Sequence, residues 1–185
     1  MVHTPLPESI AWQRVGRCFL RSLRMLIKGE VHFPQEHVGR RLHFADGTTG
    51  QVYRETVTAR DAAEPCFLAV SFRLRLVRGP AHALFRAESL LNTPLFVGFP
   101  GFVSKLWLAD DGAGRYRGLY EWDGAEQAEA YARALWRVLE LVSVPGSIDY
   151  EVVPGLRRDD VLANPALLAR EEPTRGRPPW WRVVA

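Results

Sequence analysis

The chain has 185 residues, 47% apolar and 24% charged, with a net charge of +3. That length supports one sizeable core with an appendage. The composition is that of a globular domain, and so mild a charge is no nucleic-acid footprint, so no nucleic-acid partner is expected. Lys28 and Lys105 are the two lysines, so nearly all the positive charge is arginine, which favours planar, bidentate contacts with carboxylates. Cys18 and Cys66 lack metal-ligand spacing and read as reduced and buried. No apolar run approaches the ~18 residues of a membrane span, and the N-terminus shows no short charged region followed by an uninterrupted apolar block. The expected compartment is the cytoplasm.

Residues 8–28, ESIAWQRVGRCFLRSLRMLIK, form the first predicted element. Trp12, Val15, Phe19, Leu23 and Leu26 recur at helical steps on one face, and Arg14, Arg17, Arg21, Arg24 and Lys28 on another. Glu8 stands at the positive end of this helix and Lys28 at the negative end. Packing on the main domain with a solvated arginine face is one reading; contact with an anionic surface or partner is the other. Residues 38–58, VGRRLHFADGTTGQVYRETVT, place two extended runs around Asp46-Gly47, a hairpin signal. DAAEP at 61–65 reads as a linker, so residues 1–65 are expected to be an extension of helix plus hairpin.

From residue 66 the pattern becomes regular. CFLAVSFRLRLV is a strand, and GPAHALFRAESLLNT a helix with Pro80 in its first turn and Pro94 beyond its end. LFVGFPGF is a turn-rich connection, VSKLWLA a second strand and RYRGLYEW a third. DGAEQAEAYARALWRVLELV is a long helix that Asp123 is placed to cap, with Glu126 three residues on. Ala128, Tyr131, Leu135, Val138 and Val142 trace its buried stripe. IDYEVVPG is a fourth strand, and 155–185 an irregular arm with one short helical stretch near 159–169. The order over 66–154 is β-α-β-β-α-β, an α+β ferredoxin-like unit with both helices on one face of an antiparallel sheet.

The hairpin SKLWLADDGAGRYRGLYEW, 104–122, is loaded with polar-tipped aromatics. Placing Ala109 opposite Tyr116 sets Trp107 against Gly118 and Lys105 against Tyr120. Lys105, Trp107, Tyr116, Tyr120 and Trp122 then share one face, and Leu106, Leu108 and Leu119 the other. Gly118 leaves room for an indole. The aliphatic face is expected under the helices. The aromatic face, with Arg73, Arg75, Asp149 and Glu151, suits burial against a second copy, so a homodimer with two sheets face to face is expected.

PGFVSKLW, then RGLYEW, then AEQAEAYARAL resemble the small monooxygenases of the YdhR type, in the dimeric α/β-barrel superfamily that includes the antibiotic-biosynthesis monooxygenases. The matching positions are Pro100, Gly101, Phe102, Lys105, Trp107, Gly118, Tyr120, Trp122, Ala128 and Tyr131, within residues 66–154. The resemblance implies a pocket between helices and sheet in each subunit. It also implies oxidation of electron-rich phenols or quinols by dioxygen without metal or flavin in some members, and isomerisation, cyclisation, haem degradation or ligand binding in others.

The candidate chemistry follows. His82, early in the first helix of the unit with Phe85, Arg86 and Ser89 at helical spacings, suits a general base near neutrality. Tyr116, Tyr120 and Tyr131 offer hydroxyls to a phenolate or quinone oxygen, or serve packing. Trp107, Trp122 and Trp136 offer a flat wall, or packing bulk. Lys105 on an aromatic face holds an enolate or a substrate carboxylate, or stacks on a ring. His82, Tyr120 and Lys105 are the expected catalytic residues; Phe85, Arg86, Ser89, Trp107, Tyr116, Trp122 and Tyr131 are the expected substrate contacts. His32, His37 and His43 are scattered by their hairpin, so no metal site is expected. No nucleophile elbow, phosphate loop, flavin or nicotinamide fingerprint occurs, so no cofactor is expected. The leading expectation is a cofactor-independent monooxygenase acting on an electron-rich aromatic or polyketide-like molecule. A non-catalytic ligand-binding or assembly protein, and an isomerase or cyclase on the same pocket, are the alternatives.

Overall fold

The computed structural model of the chain describes residues 4–75, 93–109, 111–112, 114–170 and 179–184. Its strands are β1 (Val31–His32), β2 (Arg41–His43), β3 (Thr49–Thr58), β4 (Pro65–Arg73), β5 (Phe102–Leu108), β6 (Arg115–Asp123) and β7 (Asp149–Pro154). They pair antiparallel in one sheet, in the order β1-β3-β5-β6-β4-β7 with β2 beside β3. The α-helices among the described residues are α1 (Glu8–Ile27), α2 (Ala125–Glu140) and α3 (Arg158–Ala163). Strands β4 to β7 run in the neighbour order β7-β4-β6-β5, which is that of the ferredoxin-like unit. The helix expected over 79–93 falls almost wholly outside the described residues.

The N-terminal segment does more than append a hairpin. The β2–β3 turn forms at Asp46-Gly47, where the Asp46 carboxylate accepts the Thr48 amide at 3.1 Å. Strand β3 then pairs with β5, so Thr56 stands opposite Lys105 and Arg54 opposite Trp107. The ferredoxin-like sheet is thereby widened at its β5 edge.

The β5–β6 register is the expected one: Lys105 faces Tyr120 and Trp107 faces Gly118. The two faces also divide as expected, but their covers are reversed. The aromatic face, with Trp107, Tyr120 and Trp122, lies under α1 and α2 and meets Val15, Cys18, Ala128, Tyr131 and Ala134. Small helix residues and one tyrosine leave the depth that bulky rings need. The aliphatic face, with Phe67, Leu106, Leu108 and Leu119, is covered by Leu42, Phe44, Val161, Leu162, Leu168, Trp181 and Val183 from the hairpin and the C-terminal arm. The homodimer expected from an amphipathic second face loses its basis, because both faces are buried within one chain.

The arm is fastened by backbone and by charge. Val183 bridges Phe44, the Val184 amide donates to the His43 carbonyl at 2.9 Å, and Trp180 Nε1 donates to Asp149 at 3.1 Å. Beneath the arm, the buried Arg158 meets Glu55 at 2.6 Å, and His37 Nδ1 lies 2.9 Å from the same carboxylate. Arg117 meets Asp46 at 3.2 Å and Asp111 at 3.4 Å. With His37 held on Glu55 and His32 and His43 on exposed positions, the early histidines do not converge. No cluster of three metal-ligating side chains occurs among the described residues.

Two helix expectations are corrected. The buried side of α1 is Ala11, Val15, Cys18, Ser22 and Met25, while Trp12 and Phe19 stay 42% and 41% exposed. The helix is turned because its small residues press on the loop before β5. The Gly98 amide donates to Ser22 Oγ at 2.7 Å, and a Cβ on Gly98 would collide with the Cys18 carbonyl oxygen. Asp123 does not cap α2. Its carboxylate accepts the amides of Ala63 and Glu64, each at 2.9 Å, and Gly124 with φ of 98° takes the cap position. No helix among the described residues is long and apolar enough to cross a membrane.

Candidate functional site

Between the aromatic face of the sheet and α2 lies a cavity of about 540 Å³. Its sheet wall includes Tyr53, Phe72, Lys105, Trp107, Tyr116, Gly118 and Tyr120; α2 adds Tyr131, Leu135, Val138 and Leu139, and the loop before β5 adds Leu95 and Phe96. The lining is mostly apolar or aromatic, with Arg75, Arg117, Lys105 and the tyrosine hydroxyls as its polar groups, the usual make-up of a small-molecule site.

Lys105 is the unusual member. Strand parity turns it into this wall rather than toward the aliphatic face, and it is only 6% exposed. Its Nζ sits 3.1 Å from the Trp107 ring centroid, 4.5 Å from that of Phe96 and 4.8 Å from that of Tyr120. Among the described residues no carboxylate or hydrogen-bond acceptor meets it. Burial, joined by the positive charge of Arg54, drives its pKa well below that of an ordinary lysine.

Arg54 comes from β3, and its guanidinium carbon lies 4.0 Å from the same Trp107 ring. Its Nη2 donates to Thr93 Oγ1 at 3.0 Å, whereas Nε and Nη1 are buried without a partner. Burial pulls its pKa down to about 10. Trp107 is thus an indole held between the Lys105 amine and the Arg54 guanidinium, with its own Nε1 donating to Thr56 Oγ1 at 3.2 Å.

The tyrosines are ordered as donors. Tyr131 Oη donates to Tyr120 Oη at 3.1 Å, which leaves the Tyr120 proton for another acceptor. Burial pushes both phenols above their ordinary pKa; Tyr120 raises that of Tyr131 further, whereas the hydrogen bond Tyr131 donates partly lowers that of Tyr120. Both hydroxyls therefore stay protonated near neutrality and serve as hydrogen-bond donors, not as bases. Gly118 gives Tyr120 its place: a Cβ there would stand 2.6 Å from Tyr120 Cε2. The room at Gly118 is used by the Tyr120 ring and not, as the sequence suggests, by the Trp107 indole.

The structure brings Lys105, Trp107, Tyr116, Tyr120 and Tyr131 to one cavity. Trp122 lies behind it, fully buried, with its ring 4.7 Å from that of Tyr131. Trp136 leaves the wall to pack on Tyr150 and donate to Glu140 at 3.0 Å. His82, Phe85, Arg86 and Ser89 lie outside the described residues. Sequence reasoning missed Arg54, Tyr53 and Phe96. The signal for Arg54 was its strand parity in VYRETVT, which becomes readable only once β3 is known to pair with β5.

No family model and no curated protein matches the chain. Among solved structures it is similar to an uncharacterised ferredoxin-fold protein related to antibiotic biosynthesis monooxygenases from Listeria monocytogenes. Identity is 12%, coverage 71% of this chain and 86% of that one, and the TM-score 0.41. It is also similar to a monooxygenase-like protein from Listeria innocua, at 13% identity, with coverage of 72% and 88% and a TM-score of 0.40. These values do not single out the YdhR type, and the ferredoxin-like assignment rests on this chain's own strand order. The class defined by fold and site is an α+β protein with an aromatic cavity that holds a buried lysine amine.

Proposed function

We propose that the cavity binds a small, flat, largely apolar molecule carrying an acidic hydroxyl, and that the chain oxygenates it with dioxygen and no cofactor. The observation that carries this is Lys105: an amine that meets no carboxylate among the described residues, buried among three aromatic rings beside a protonated tyrosine pair. A neutral amine in that setting takes the phenolic proton, and the resulting ammonium and phenolate form a contact pair in a low-dielectric cavity. The anion passes an electron to dioxygen, and the two radicals join as a peroxide at an activated ring CH₂. Loss of water from the protonated peroxide leaves a carbonyl, so one oxygen atom ends in product and one in water. Tyr120 donates to the developing carbonyl oxygen. His82, expected from the sequence as the base, is the alternative proton acceptor.

Titration of tryptophan fluorescence with 1-naphthol, followed by an oxygen electrode with anthrone, tests the proposal. Quenching by naphthol with oxygen uptake on anthrone, lost in Lys105→Met, is the expected result. Quenching without uptake moves the protein to a non-catalytic binder or an isomerase. No quenching removes the site.

A further inference from the structure

We propose that Lys105 also forms a covalent adduct: its amine condenses with a 1,3-dicarbonyl compound seated in the cavity and holds it as a neutral enaminone. This rests on the cavity being a ligand site and goes beyond the oxygenation reading, which needs no bond to the protein. Three features of the geometry carry it. First, among the described residues Lys105 has no carboxylate to keep it as an ammonium ion, and its surroundings are the rings of Phe96, Trp107 and Tyr120 with the Arg54 guanidinium nearby. A desolvated amine beside another cation keeps the lone pair that attack on a carbonyl carbon requires. Second, Lys105 faces an open cavity of about 540 Å³, so a reactant has room to reach it. Third, Tyr131 donates to Tyr120, which leaves the Tyr120 proton for a carbonyl oxygen.

The 1,3-dicarbonyl class follows from charge. A simple ketone would give an imine, whose basic nitrogen on taking a proton becomes an iminium cation and places a second positive charge next to the partly unpartnered Arg54. A 1,3-dicarbonyl gives an enaminone, which is neutral. The nitrogen lone pair forms the new C–N bond, and the carbonyl π pair moves to oxygen. That oxygen leaves as water with one hydrogen from the amine and one from the central CH₂. The second carbonyl survives as the acceptor for Tyr120. Nothing is oxidised or reduced, and no further reactant is needed.

The chain supplies its own control, because Lys28 is the only other lysine and is exposed, 3.7 Å from Glu30. The full chain is incubated at neutral pH with 1-phenyl-1,3-butanedione, and the adduct is read by intact mass and peptide mapping. The expected result is a gain of one diketone less one water at Lys105, formed at least ten-fold faster than at Lys28 and absent from Lys105→Met. Labelling of Lys105 no faster than that of Lys28 overturns the proposal, as does an unlabelled Lys105. Naphthol quenching in the same preparation separates the two failures. Quenching without adduct overturns the covalent step and leaves the site standing, and neither signal overturns both.

Discussion

The two faces of the sheet bury their side chains by different means. On the arm side, leucines and Phe67 interdigitate with the hairpin and arm, and every strongly buried charge there meets an opposite one, as Glu55 meets Arg158 and Arg117 meets Asp46. On the helix side, rigid rings pack edge to face, as Phe96 does on Trp107 at 5.1 Å. They leave a cavity, and the Lys105 amine and the Arg54 guanidinium have aromatic faces where the other side has carboxylates. A buried charge that is paired can be explained by architecture alone. A buried cation with no opposite charge among the described residues costs stability that packing does not return, and the proposed ligand site is placed on the helix side for that reason.

The largest effect that tests this contrast is on the arm side. Phe67→Ala removes a fully buried ring and should cost about 3–5 kcal/mol in urea unfolding. Its 1-naphthol affinity, measured where the protein is still folded, should be unchanged. A cost below about 1 kcal/mol would mean that the arm side does not carry the stability. Gly118→Ala acts on the other face. The new Cβ lies 2.6 Å from Tyr120 Cε2, so the ring must leave its position. Overpacking of this kind costs about 1–3 kcal/mol, and here naphthol binding should fall with it. Unchanged binding would show that Tyr120 does not shape the site.

The same contrast sets what was legible in the sequence. Strand parity across DDGAG gave the true register, because a two-residue period leaves few choices for a run as short as KLW. Parity cannot say which layer covers which face. That depends on small residues such as Ala11, Cys18 and Ala134 in helices whose depth against the sheet is set by contacts distant in sequence. The apolar stripe of α1 misled for a related reason: Gly98 and Ser22 dock the helix through one hydrogen bond and leave Trp12 and Phe19 outside. Lys105 stood out because lysine is rare in this chain. Arg54 did not, because arginine is everywhere in it and only the β3–β5 pairing shows which one is buried beside the indole.

The smallest expected change is the most pointed. Lys105→Met replaces an amine that has no acceptor among the described residues by an apolar chain of similar length, so at pH 7 it should stabilise the fold by roughly 1 kcal/mol. Its sign depends on protons. In the unfolded chain Lys105 keeps its proton up to about pH 10.5, whereas in the folded chain burial and Arg54 remove it at lower pH. Between those two values the unfolded state binds the extra proton, so wild-type stability rises with pH. Above 10.5 both states are neutral, and below the folded value both are charged, so the contribution is flat outside the window. The groups around the amine do not blur it: Arg54 is common to both proteins, and Tyr120 and Tyr131 keep their protons because burial raises their pKa above 10. Urea midpoints of the two proteins should therefore lie apart at neutral pH and converge as pH approaches 10. Parallel curves would mean that Lys105 titrates like a surface lysine. The proposed base and the proposed nucleophile would then both be lost, because each needs the lone pair that an ordinary ammonium ion does not have.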